Sequence, residues 1–168
     1  MSSKTKKIAF LGLLASLAMV LSYFELLLPP IYAGLPGIKM GLPNIVIIFA
    51  LYKFGVKEAA TVSFVRLVCV SLLFGTVMTF WYSLAGALLS LTLMWLLKHF
   101  DLFSTVGVSV VGGISHNLGQ ILVAILLLGR IEIGYYLIVL TVTGTVAGTL
   151  IGIAGSYLLK LLSKIKIN

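Results

Sequence analysis

The chain has 168 residues, of which 61% are hydrophobic and only 10% are charged, and its formal net charge is +8. A soluble fold needs much more polar surface than this composition supplies, so we expect an integral membrane protein. The basic residues flank apolar runs instead of forming one basic face, which argues against nucleic acid as a partner.

Six apolar runs predict an all-α, polytopic membrane protein with a single domain over residues 1–168, since each crossing takes about 20 residues. The predicted transmembrane helices cover residues 8–28, 38–54, 58–75, 80–97, 106–128 and 134–162. The second helix has to begin near Ile38, because a helix that began at Asn44 would be too short to span. The loop between the first two helices, residues 29–43, holds all four prolines and is a candidate lid.

An even number of crossings places both termini on one side of the bilayer. If that side is the cytoplasm, nine of the ten lysines lie at inner positions, while Lys39 and Arg130 lie in outer loops. This distribution follows the positive-inside rule and supports the count of six helices independently.

The acidic residues and the single cysteine argue against a self-contained enzyme. The acids Glu25, Glu58, Asp101 and Glu132 are widely separated, and Cys69 lies in an apolar run. The chain has no Gly-rich loop that ends in Gly-Lys-Ser or Gly-Lys-Thr and no His-Glu-x-x-His, so neither a nucleotide site nor a metal site is indicated. We expect no catalytic residues, no metal and no cofactor.

Arg66 is the most informative residue, because it is predicted to lie near the middle of the membrane. A guanidinium there costs about 2.5–3.5 kcal/mol on insertion scales and usually faces a cavity or a partner. Ser63, Arg66 and Cys69 follow one another at three-residue spacing and so share one broad helical face. This face either lines a ligand pocket or makes an ion pair or carbonyl contact that only fixes packing.

A second polar group is predicted at the same depth on the fifth helix. His116 and Gln120 are four residues apart and share a face, and Asn117 lies beside them. Polar side chains at this depth are expected to point into the bundle, where they either bind a ligand or join helices through hydrogen bonds.

Together these residues suggest a pocket that opens outward. Glu25, Lys39 and Asn44 would complete it from above, and the loop at residues 29–43 would cover it. Arg66 and Lys39 would favour a ligand with an anionic group. Alternatively, Glu25 is the counter-ion of Arg66, which would leave no free charge for a ligand.

Small residues recur every four positions on two helices and allow close helix packing, within the chain or against a partner subunit. They are Gly144, Gly148, Gly152 and Ser156 on the sixth helix, and Gly12 with Ser16 and Ala18 with Ser22 on the first.

Four of these elements resemble the Gx transporter family, which is also labelled heptaprenyl diphosphate synthase component I. They are residues 37–45 (GIKMGLPNI), Arg66, residues 83–90 (SLAGALLS) and residues 116–120 (HNLGQ). The family is similar to the substrate-binding S components of energy-coupling factor transporters, which have six helices and an outward pocket capped by the first loop. The resemblance implies a coupling transmembrane subunit and two cytoplasmic ATPases as partners, and a small-molecule substrate.

S components dock through small residues of the first helix, which correspond here to Gly12, Ala15, Ser16 and Ala18; the usual Ala-x-x-x-Ala pattern is not kept. The resemblance thus implies a binding subunit of an importer in a prokaryotic plasma membrane, with both termini cytoplasmic. Its substrate would be vitamin-like or related to isoprenoids and quinones. The alternative is a non-catalytic membrane anchor or scaffold for isoprenoid-quinone synthesis or for flavin-based extracellular electron transfer.

Overall fold

The computed structural model describes residues 3–27 and 41–164, and over these residues the chain is helical without a β-strand. The six α-helices are α1 (Ser3–Leu27), α2 (Asn44–Lys53), α3 (Val56–Phe74), α4 (Val77–His99), α5 (Thr105–Leu128) and α6 (Leu137–Leu161). Two short 3₁₀ helices, Ile131–Tyr136 and Leu162–Lys164, flank α6. The predicted all-α membrane bundle is confirmed.

Within the described residues, four helical segments are long and apolar enough to cross a membrane: Lys4–Leu27, Val77–His99, Thr105–Leu128 and Ile131–Leu161. The helix α3 is less apolar because it carries Lys57, Glu58 and Arg66 within 19 residues. The helix α2 has only ten residues and is about 15 Å long, half the thickness of the hydrocarbon core.

The second helix begins at Asn44 and is not one continuous helix from Ile38, which itself lies outside the described residues. Gly41 has a φ of +86°, which is incompatible with an α-helix, and Pro43 immediately precedes the first helical residue, Asn44. Although α2 is short, seven of its ten residues are buried. It packs against α1, α3 and α6, so α2 belongs to the core of the bundle.

Lysine contacts join several helix ends at one end of the bundle, which we call the basic end. Lys7 pairs with Glu58 (2.6 Å), Lys98 donates to the carbonyl oxygen of Leu51 (2.6 Å), and Lys53 donates to that of Leu162 (3.2 Å). The start of α1 and the end of α6 therefore lie at the same end of the bundle, as an even number of antiparallel helices requires. The opposite end, which we call the far end, contains the end of α1, Gly41 and the turn between α3 and α4.

The helices α4, α5 and α6 pack most closely, and glycines make this possible. A Cβ atom on Gly148 of α6 would lie 2.7 Å from the Cα atom of Val110, and one on Gly152 would lie 2.7 Å from that of Val106. Gly144 and Gly113 approach each other in the same way. The interpretation of the α6 stripe as packing within the chain is confirmed at these positions.

Replacing Gly148 with alanine should therefore destabilise the bundle. The new methyl group meets backbone atoms that cannot move aside, and overpacking of this kind costs about 1–3 kcal/mol. Gly12→Ala is the matched control: no atom lies within 4 Å of its Cβ position, and it should gain about 0.5–1 kcal/mol from helix propensity. Thermal unfolding in detergent measures both variants, and equal melting temperatures would contradict the close packing of α5 and α6.

Candidate functional site

Arg66 lies on the buried face of α3, with only 6% of its surface exposed. Ala59, Val62, Ser63 and Arg66 recur at helical spacing, which turns the guanidinium into the bundle together with the apolar side chains. Cys69, which was predicted to share this face, is half-buried.

The guanidinium of Arg66 is poorly satisfied by the protein. Its Nη1 atom donates one long hydrogen bond, 3.5 Å, to the hydroxyl oxygen of Ser22 on α1. Its Nε atom is buried and has no hydrogen-bond partner in the part of the chain that the structure describes. A buried polar group without a partner costs free energy, and such groups in native proteins are uncommon away from functional sites.

Glu25 lies near Arg66 and within range of its charge, but it does not make a direct contact with the guanidinium. The hydrogen bond of Arg66 goes to Ser22, while the Glu25 carboxylate accepts hydrogen bonds from the backbone amides of Gly41 and Leu42. The carboxylate is 7% exposed. Glu25 therefore ties the end of α1 to the backbone that leads into α2, and its influence on Arg66 is electrostatic.

A small pocket lies beside Arg66, between α3 and α4, and extends toward the far end of the bundle. It has room for about one water molecule. Its lining combines the Arg66 guanidinium with apolar side chains and with three hydroxyl groups. The lining residues are Arg66, Leu67, Val70, Ser71, Gly75, Thr79 and Ser83.

His116 on α5 is buried between α4 and the residues that precede α2. A Cβ atom on Gly86 of α4 would lie 3.0 Å from two atoms of the imidazole ring, so only glycine leaves space for the ring there. On the other side, the Cβ position of Gly41 is 4.0 Å from the ring atom Cδ2. The ring thus fills the space between Gly86 and Gly41.

Arg66 and His116 lie on the same side of the bundle. Gly41 connects them, because its amide donates to Glu25, beside Arg66, while its Cα atom faces the His116 ring. On α4, Ser83 lines the Arg66 pocket and Gly86, three residues on, contacts His116. The side chain of Asn44 also lies against Gly41, so three of the seven predicted ligand contacts, Glu25, Asn44 and His116, lie around this glycine.

The polar side chains of α5 contact two different neighbours. The Gln120 amide contacts the Nε2 atom of His116 at 3.0 Å, and its own Oε1 atom is buried without a partner among the described residues. Asn117 instead donates to the carbonyl oxygen of Leu140 on α6 at 2.7 Å. Gln120 therefore continues the polar group that begins with His116. Asn117 instead joins two helices, as the alternative interpretation of this group predicted.

The remaining predicted ligand contact is not part of this geometry. Lys39, together with residues 29–40 of the candidate lid, lies outside the described residues. Its role as a contact to an anionic ligand stays a prediction.

The four predicted docking residues of α1 face in different directions. Gly12 and Ser16 are exposed, and the Ser16 hydroxyl donates to the carbonyl oxygen of Gly12. Ala15 and Ala18 are buried in the core and have almost no side-chain surface to offer a partner. Only Gly12 and Ser16 are placed where a partner helix could contact them.

Three residues that contact the site, Ser22, Ser83 and Gly86, were not predicted from the sequence. Ser22 was assigned to a packing pair, although its position three residues before Glu25 places both on one face of α1. Ser83 and Gly86 lay in the segment that resembles the family, but nothing in their spacing connected them to Arg66 or His116. Both connections depend on how α4 packs against α3 and α5.

If Arg66 serves a ligand and not the fold, Arg66→Met should stabilise the protein. The substitution removes a buried charge at the loss of one long hydrogen bond and of the attraction to Glu25, whose carboxylate keeps its two backbone amides, so we expect a net gain of about 1–3 kcal/mol. Leu67→Ala, at a buried neighbour, should lose about 2–5 kcal/mol and calibrates the assay. Thermal unfolding in detergent tests both; an Arg66→Met loss as large as that of Leu67→Ala would show that Arg66 holds the helices together.

Comparison with known proteins agrees with the family resemblance. The family model for heptaprenyl diphosphate synthase component I matches residues 14–158, a range that contains Glu25, Arg66, His116 and Gln120. No curated protein and no solved structure matches the chain. Since the model covers most of the sequence, the chain belongs to the heptaprenyl diphosphate synthase component I family, also called the Gx transporter family.

Proposed function

We propose that this membrane protein is the substrate-binding subunit of an importer of the energy-coupling factor type. The observation that carries the proposal is the guanidinium of Arg66, which is more than nine-tenths buried, has an Nε atom without a partner among the described residues and faces a pocket. Its substrate is a small molecule with an anionic group, of the vitamin-like or isoprenoid- and quinone-related kinds.

The position of the pocket supports uptake from outside the cell. The lysine contacts gather at the basic end, which the positive-inside rule assigns to the cytoplasm. The pocket extends from Arg66 toward Gly75 at the far end. In a prokaryotic plasma membrane with both termini cytoplasmic, the pocket would face the exterior.

A non-catalytic role fits the chemistry of the site. Its polar side chains are a guanidinium, an imidazole, amides and hydroxyls, and its carboxylate, Glu25, is engaged by backbone amides. This set can hold an anion, but it lacks the clustered carboxylates that Mg²⁺-dependent prenyl transfer requires. Energy for transport would come from two partner ATPases through a coupling subunit.

The exposed small residues of α1 offer that coupling subunit a surface. Gly12 has open space at its Cβ position, and the Ser16 hydroxyl is turned back to its own helix. A partner helix can approach such a face closely without meeting an unsatisfied polar group.

A second candidate function is the scaffold role, and the size of the pocket favours it. Room for about one water molecule is too little for an organic substrate unless α3 and α4 move apart. In a scaffold, the polar side chains of Arg66, His116 and Gln120 would join helices. The partners would then be enzymes of an isoprenoid or redox assembly.

Copurification distinguishes the two functions. A tagged chain isolated from its native membrane in mild detergent should bring down a transmembrane subunit and two ATPases. Gly12→Leu and Ser16→Leu should reduce this recovery about tenfold or more, because a leucine separates the two backbones at the contact. Thr145→Leu is the matched control, since Thr145 is also exposed and also bonds within its own helix.

Each outcome decides a separate point. Recovery of a prenyl synthase or a flavoprotein without ATPases would contradict the importer and support the scaffold. Recovery of the ATPases with all three variants would keep the importer and move the docking surface away from Gly12 and Ser16.

A further inference from the structure

One edge of the Arg66 guanidinium is not used by the described protein. Among the described residues, Nη1 donates to Ser22, Nε is buried without a partner, and no acceptor is found for Nη2. The N–H groups on Nε and Nη2 are parallel, and this fork matches the two oxygen atoms of one carboxylate. The unused edge is thus shaped for a two-oxygen acceptor.

The charges of the described residues around the edge favour a ligand with a single negative charge. Arg66 is the one charged side chain among the described residues that line the pocket. Glu25 is buried within range of its charge and adds a negative potential. A second negative charge on the ligand would therefore be repelled with little compensation, which disfavours a phosphate dianion and a diphosphate.

The side chains that line the pocket indicate the polarity of the remaining part of the ligand and the place where the ligand enters. Leu67 and Val70 supply apolar surface, while Ser71, Thr79 and Ser83 supply hydroxyl groups. Ser71 and Thr79 adjoin Gly75, at the turn where α3 ends and α4 begins. A ligand that entered there would meet hydroxyls first and the guanidinium last.

We propose that the pocket widens as α3 and α4 move apart and then binds an amphipathic monocarboxylate, whose two oxygens accept from Nε and Nη2 of Arg66 and which enters between these two helices. That such a compound is the transported substrate rests on the proposed function; the binding of the carboxylate does not. This assignment separates the chain's ligand from the diphosphates that the family label names.

The test uses a cysteine in the pocket as a reporter. Ser71→Cys is introduced into the full chain with Cys69→Ser, and its alkylation by N-ethylmaleimide is timed in detergent. Benzoate is the probe, benzamide is its neutral isostere, and phenyl phosphate is the dianionic comparison. Benzoate at about four times its dissociation constant should slow alkylation about fivefold, while the other two should change it little. Ile131→Cys, on the exposed turn before α6, should react equally in all conditions.

Arg66→Lys in the same background tests the fork. Lysine keeps the charge but not the two parallel donors, so protection by benzoate should be lost. Undiminished protection would overturn the two-oxygen contact. If this variant does not fold, the comparison of benzoate with benzamide in the Arg66 background still decides the proposal.

The other outcomes also overturn it. Equal protection by benzamide would show that the charge of the ligand is not needed. Stronger protection by phenyl phosphate would show that the site prefers a dianion to a carboxylate. No protection by any of the three compounds would show that the pocket does not bind this kind of ligand. An unreactive Ser71→Cys would overturn the route between α3 and α4. Because none of these results concerns the partner ATPases, the importer proposal stands or falls separately by copurification.

Discussion

The guanidinium of Arg66, buried in the bundle with one long hydrogen bond to Ser22, is the constraint on which the arrangement of the site depends. A buried charge needs polar or charged groups nearby, and here the nearby charge is a carboxylate that does not touch the guanidinium. Glu25 acts on Arg66 through space while its carboxylate is held by two backbone amides. Among the described residues the guanidinium is not neutralised by direct contact, and this is the observation on which the proposed ligand role of Arg66 rests.

Gly41 connects this charge to the rest of the site. Its positive φ turns the backbone so that one amide reaches Glu25, and its missing side chain leaves space for the Asn44 amide and the His116 ring. The short helix α2 begins three residues later and is buried almost throughout. A ligand that changed the balance between Arg66 and Glu25 would therefore act on the start of a core helix. This gives the far end of the bundle a physical connection to the basic end, where lysines contact the carbonyl of Leu51 near the end of α2 and the end of α6.

Composition and lysine spacing are enough to predict an all-helical membrane bundle, and the inward direction of Arg66 and His116 follows from the cost of polar groups in lipid. A start of α2 at Asn44 can be read from the sequence, but the expectation that every helix spans the membrane moves it to Ile38; that a ten-residue helix is buried in the core depends on its packing against α1, α3 and α6. The contacts of Arg66 with Ser22 and of His116 with Gly86 cross between helices, so they depend on helix rotations that periodicity does not fix. For the same reason, sequence alone could not separate Gln120, which meets His116, from Asn117, which meets α6.

The chain has only two arginines, Arg66 and Arg130, which makes one direct measurement practical. With ¹⁵N-arginine labelling, the two Nε–H groups give separate NMR signals, and exposed Arg130 serves as the internal reference. We expect the Nε proton of Arg66 to exchange slowly with water, because it is buried, yet to resonate where a guanidinium without a strong acceptor does. A strongly downfield proton in the ligand-free protein would show a permanent acceptor such as Glu25 and would contradict the claim that Arg66 is reserved for a ligand.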